Sequence, residues 1–302
     1  MHRRTTLAAA LGTAATATLG ALMTPQPAAA ALSQLTTLKK SEKMPVLFLG
    51  HGSPMNAIED NDWRRSWQAL GAEFGAKLPR PQLVLCVSAH FLTNGWWLTA
   101  MEKPKTIHDF GGFPQALFDQ QYPAPGAPAV AQEISRGISS PKIGLDAGEW
   151  GLDHGTWSVM KPMFPKADIP VMQLSIDYGR PAAEHFALGQ QLKALRERGV
   201  LIVGSGNIVH NLRAPRRSGP VPPYDWALEF DKVVAGQLEK GDLAALVDFQ
   251  KLGQVATMAH PTYDHYLPLL YAAGAVDAKE PMRMFNNNFQ GQAISMRSVV
   301  WG

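Results

Sequence analysis

Short apolar, β-branched runs alternate along this chain with longer stretches in which apolar positions recur at helical spacing. The short runs cover 46–49, 83–87, 96–100, 170–176, 200–203 and 294–301 and predict strands. The longer ones cover 63–74, 129–137, 182–196, 224–238 and 242–249 and predict helices. Strands that alternate with helices predict an α/β fold, and near-continuous apolar strands predict burial on both faces. The expected architecture is a single domain whose central mixed, largely parallel sheet is covered by helices on both sides. The stretch 101–128 is dense in Gly and Pro and too long for a plain connection, which marks it as a lid or binding loop.

The first residues break this pattern. Arg3-Arg4 precede a weakly apolar Ala/Gly/Thr stretch, and Pro25-Gln26-Pro27 leads into Ala28-Ala29-Ala30, a small-residue cleavage pattern. Residues 1–31 therefore read as a removable export signal of twin-arginine type, with the bacterial periplasm as destination and no membrane contact after removal. That route carries folded proteins, so a metal can be inserted before export. The polar, lysine-rich residues 32–44 read as a linker, and 45–302 as one catalytic domain. The 302 residues are 46% hydrophobic and 18% charged, with a net charge of +3 and no basic run interleaved with aromatics. Nucleic acid is thereby disfavoured and a small-molecule partner favoured. The one cysteine, Cys86, lies in an apolar run, which predicts a buried, inert thiol and excludes an internal disulfide.

Histidine placement carries the chemistry. His51 ends the first predicted strand, His90 follows the second, and His210 follows the run 200–203. Carboxyl ends of strands are where open α/β sheets bind ligands, so these imidazoles are placed to converge as metal ligands. His154 sits in a glycine-flanked turn before a helix, and His265 stands beside Asp264, either an alternative ligand or an acceptor for a ring N–H. His108 lies in the Gly/Pro-rich loop and reads as facing substrate, while His185 reads as an ordinary helix residue. Ser53 invites a nucleophile reading, but no G-x-S-x-G surrounds it, and a cap for the following turn fits better. G-x-G-x-x-G, the phosphate-binding loop and H-E-x-x-H are absent.

The motifs Gly50-His51-Gly52-Ser53-Pro54, Val87-Ser88-Ala89-His90, Ile107-His108-Asp109-Phe110-Gly111-Gly112-Phe113, Leu152-Asp153-His154-Gly155, Gly206-Asn207-Ile208-Val209-His210-Asn211 and Asp264-His265-Tyr266-Leu267-Pro268 occur in that order. Together they resemble the class III extradiol ring-cleaving dioxygenases, in the branch similar to 4,5-DOPA dioxygenase. The resemblance implies His51, His90 and His265 as metal ligands. It implies His210 as acid/base and as a fourth ligand in a zinc form, with His154 orienting substrate or oxygen. The wider class uses two histidines and a carboxylate on Fe(II); a neutral third ligand here leaves the site more positive and open to Zn(II) as isolated, with Fe(II) expected for activity. The implied partners are a catechol and O2, and the implied product is a muconic semialdehyde. Phe110, Phe113 and Trp157 are expected to form an aromatic slot, and Arg213 to meet a substrate carboxylate. A zinc hydrolase, and a periplasmic protein that binds metal or catechol without turnover, stay open as alternatives.

Overall fold

Ten strands form in the computed structural model, which describes residues 26–215 and 221–302. They are β1 Val46–Gly50, β2 Leu83–Thr93, β3 Trp96–Thr99, β4 Ile143–Asp146, β5 Val171–Asp177, β6 Val200–Gly206, β7 Met282–Phe285, β8 Phe289–Gln290, β9 Ile294–Ser295 and β10 Ser298–Trp301. Eight of them make one sheet in the order β4-β3-β5-β2-β6-β1-β10-β7, and β8 pairs with β9 in a separate hairpin. The four strands β5, β2, β6 and β1 run parallel, with antiparallel pairing to β3 on one side and to β10 on the other. The expected largely parallel mixed sheet is therefore present.

Successive side chains of a strand point to opposite faces, and here both faces are covered. Val46 and Phe48 join one core with Leu83, Leu85 and Val87; Leu47 and Leu49 join the other with Val84 and Cys86. Helices Ala182–Leu192, Asp225–Glu239 and Leu267–Gly274 supply the first core, and Asp62–Glu73 and His154–Met163 the second. Each fully buried aliphatic side chain contributes roughly 1.5–3 kcal/mol. Cys86 is buried as expected, and burial pushes its thiol pKa up.

Several boundaries differ from the sequence expectation for identifiable reasons. The run 294–301 splits, because Ser295 N–H bonds the carbonyl of Val209 and Met296 N–H that of Asn288, which turns the chain between β9 and β10. The segment predicted as helix over 182–196 ends at Leu192 and tightens into a 3-10 turn, and 242–249 is also 3-10 rather than α. Helix Leu267–Gly274 went unpredicted because it is buried on all sides and so has no polar face to give it a period.

The expected linker 32–44 is docked onto the domain instead of standing free. Leu32 and Leu35 are buried, Thr36 and Thr37 bond the carboxylate of Glu133, and the Arg198 guanidinium donates to the carbonyl of Leu35 at 3.0 Å. Residues 1–25 of the expected export signal lie outside the described residues, while Gln26–Leu32 form a helix. Among the described residues, no helix is long and apolar enough to cross a membrane.

Candidate metal centre and its cavity

Three of the histidines meet at the carboxyl edge of the parallel strands. His51 follows β1, and its N–H bonds the carbonyl of Gly206 at 3.1 Å, so it leaves the sheet beside β6. Gly52, at φ +58, makes the turn that follows, a conformation that glycine adopts without strain. Ser53 then caps the next turn, accepting from Met55 N–H at 3.3 Å, as the sequence predicts. His90 lies inside β2 and not at its end as expected. The ladder to β6 stops at Ser88, however, and the register to β5 shifts between Val87 and Leu92, so His90 occupies an irregular stretch that re-aims its side chain. His265 precedes helix Leu267–Gly274, and its carbonyl accepts from Asn207 N–H at 2.9 Å. A side chain at position 206 would collide with that carbonyl, which accounts for Gly206.

The rings form a nearly equilateral triangle, with centroids 5.2 Å apart for His51–His90 and His51–His265 and 5.0 Å for His90–His265. His51 Nδ1 lies 3.1 Å from Ser205 Oγ, whose own proton goes to the carbonyl of Gly155, so Nδ1 donates and Nε2 keeps its lone pair. Asp264 Oδ2 accepts from His265 Nδ1 at 2.5 Å with the same result, which makes Asp264 the acceptor and not a ligand. Nε2 of His51 and Nε2 of His90 are 3.2 Å apart, and one donor atom from each of the three rings lies within 4.8 Å of the others. Two nitrogens bound at about 2.0–2.1 Å to one ion stand roughly 3.0–3.4 Å apart, so the spacing suits a shared metal.

Electrostatics agree. Burial, aided by the neighbouring histidines, holds His51 and His265 well below the ordinary imidazole pKa; burial first, then His154, brings His90 to about 3. These rings are neutral at pH 7, the form that binds a metal. Burial also lowers His210 to about 4. His210 is stacked on His265 at 3.5 Å and 5° and is not one of the three rings whose donor atoms converge within 4.8 Å.

The triad opens into a cavity of about 640 Å3. His154, His210, Phe110 and Phe113 line it, together with Asp109, Asn211, Tyr224, Gln290 and Gln292. His154 begins helix His154–Met163, which Asp153 caps by accepting from Thr156 N–H at 3.1 Å. Asp153 also accepts from Ser88 at 2.7 Å and Gln173 at 2.6 Å, tying the helix start to β2 just before His90. Three expected site residues are not cavity walls. His108 turns its Nε2 to the carbonyl of Gln120 at 2.9 Å and packs behind Phe110. Trp157 is fully buried with its N–H on the carbonyl of Ile107, and Arg213 is exposed outside the cavity lining. Conversely, Asp109, Ser205 and Gln290 were not singled out in the sequence. Gln290 Oε1 accepts from Ser53 N–H at 2.7 Å and thereby holds the turn after His51.

Comparison with known proteins places this geometry. Residues 45–299 match the family model described as the catalytic LigB subunit of aromatic ring-opening dioxygenase. The chain is 48% identical over 271 residues to "4,5-DOPA dioxygenase extradiol" of Escherichia coli K12, covering 88% of this chain and 97% of that one. It is 34% identical to the protein of that name from Beta vulgaris, over 83% of this chain and 94% of the other. The crystal structure of an uncharacterized protein from Escherichia coli K12 superposes with a TM-score of 0.73 at 44% identity, covering 86% of this chain and all of that one. With a metal-ready triad of imidazoles at the mouth of an aromatic-walled cavity, and a family match across nearly the whole described domain, the chain belongs to the LigB family of aromatic ring-opening dioxygenases, in its extradiol, DOPA-dioxygenase-like branch.

Proposed function

We propose that this enzyme cleaves a DOPA-like catechol beside its two hydroxyls, using Fe(II) and O2, and releases a muconic semialdehyde. The observation that carries the reading is the triangle of neutral imidazoles facing a cavity that also holds two further histidines and two phenylalanines. His51, His90 and His265 are the residues that would hold the ion. When bound there, Fe(II) supplies adjacent positions for the two catechol oxygens and O2, and a path for electrons from the ring to O2.

The protein's own groups then divide the remaining work. Phe110 and Phe113, with ring centroids 5.3 Å apart in an edge-on arrangement, offer the catechol ring an apolar wall. His210, kept neutral by burial, accepts the proton of the second hydroxyl and returns it as the ring opens. His154 packs against His90, with ring centroids 3.8 Å apart, and lines the cavity, where it orients substrate or oxygen. A third ligand without charge favours Zn(II) retention in protein isolated without added iron. The leader's arginine pair and alanine cleavage pattern support export of the folded, metal-loaded enzyme to the periplasm.

The test is oxygen uptake recorded with visible absorbance after anaerobic loading with Fe(II), on addition of DOPA and of simple catechols. Oxygen falling in proportion to a yellow product, in the iron sample and not in the zinc sample, is the expected result. Flat oxygen with every catechol in iron-loaded protein would overturn the proposal.

A further inference from the structure

Asp109 has no part in the ligand triad, yet one carboxylate touches both a ligand ring, His90, and the cavity histidine packed against it, His154. Its Oδ1 accepts from the backbone N–H of His154 at 2.9 Å, and its Oδ2 accepts from His154 Nδ1 at 2.9 Å. The same Oδ2 lies 3.4 Å from Nδ1 of His90. The chain that delivers it is pinned: Ile107 N–H bonds the carbonyl of Leu152 at 2.7 Å, and Leu152 N–H bonds that of Lys105 at 2.8 Å. Phe110, the next residue, forms part of the cavity wall and meets the His154 ring edge-on at 5.5 Å.

We infer that Asp109 is a positioning residue that fixes the ring orientation of the metal ligand His90 and of the cavity histidine His154 through one carboxylate, and so ties the aromatic loop to the metal centre. The bond to His154 Nδ1 leaves Nε2 of that ring as an acceptor toward substrate, and the carboxylate charge 3.4 Å from His90 Nδ1, a contact rather than a hydrogen bond, favours the proton on that nitrogen and so leaves His90 Nε2 for the ion. His90, Asp109 and His154 also bring one donor atom each within 4.8 Å of one another, which raises a second ion as the rival arrangement. Against it, both Asp109 oxygens already accept N–H donors, and His90 would have to serve two ions through its two nitrogens. The effect on turnover rests on the ring-opening function proposed above; the effect on metal binding does not.

The experiment uses zinc as the probe, with wild type, Asp109→Asn and Asp109→Glu compared by chelator competition, metal content per chain and circular dichroism, followed by kcat and KM on a catechol after iron loading. Asp109→Asn is expected to fold, to bind one ion per chain about 10–100-fold more weakly, and to lose kcat to a similar degree with a smaller change in KM. Asp109→Glu is expected to fall between the two, and it carries the test if the asparagine variant does not fold. Wild-type zinc affinity in a folded variant overturns the inference, as does a second ion bound by wild type and lost in Asp109→Asn. Because zinc affinity is read without turnover, a wild type that binds zinc but opens no catechol counts against the proposed reaction alone.

Discussion

His51 and His185 are equally shut off from solvent, 1% and 0% exposed, and burial lowers the pKa of both. Their hydrogen bonds run in opposite senses. Tyr271 accepts from Trp96 at 2.8 Å, so its hydroxyl proton goes to His185 Nδ1 at 2.7 Å, while His185 Nε2 faces the carbonyl of Arg180 at 3.2 Å. Both nitrogens of His185 are used by the protein. His51 spends only Nδ1, on Ser205, and turns Nε2 toward the equivalent atom of His90. Burial and a depressed pKa therefore do not mark a metal ligand; a lone pair left over and aimed at other lone pairs does.

The sharpest way to break this contrast is to exchange the two fates. His51→Ala is expected to abolish stoichiometric metal and all ring cleavage, whereas His185→Gln retains both; metal content and oxygen uptake of the two variants decide it. Retained metal in His51→Ala would dissolve the distinction. Next in size, His210→Ala keeps its metal and loses about 10²–10⁴-fold in kcat, as expected for a base next to the triad and not in it. Metal lost together with activity would restore His210 as a ligand. Smaller again, Ser205→Ala removes the acceptor that holds the His51 ring and Asp264→Asn removes the charge that strengthens the bond from His265, and each should weaken zinc binding about 10–100-fold by chelator competition.

The smallest effect concerns His185 and pH. Its folded pKa, about 4, lies below the ordinary 6.5, so the unfolded chain binds more protons between these values and stability falls as pH drops through that window. Replacing it with glutamine should remove on the order of 2 kcal/mol of this acid-side loss, read by denaturant unfolding of metal-free protein at pH 7 and pH 4. An unchanged pH slope would mean that burial does not hold the His185 ring neutral.

Some of this was legible in the chain because it depends on local pattern. Apolar runs located β1, β2, β5 and β6, and the same edge of the sheet located His51, His90 and His210. Other features depend on contacts that no local pattern records. Ser205 meets His51 across 154 residues of sequence, and Asp109 reaches His154 across 45. Asp153 and Asp264 each precede a site histidine, yet one caps a helix and the other orients a ring, a difference set by backbone direction and not by adjacency. His108 and Arg213 stand close in sequence to cavity residues, but strong local bonding turned the first away and exposure left the second outside. The docking of 32–44 is not legible locally, because its partners, Glu133 and Arg198, come from distant elements.

The most direct measurement of the central claim is anomalous diffraction from crystals of the zinc-loaded protein. The account predicts a single strong peak about 2.0–2.1 Å from Nε2 of His51, His90 and His265. A peak between His90, Asp109 and His154, or none near the triad in protein that retains zinc, would contradict it.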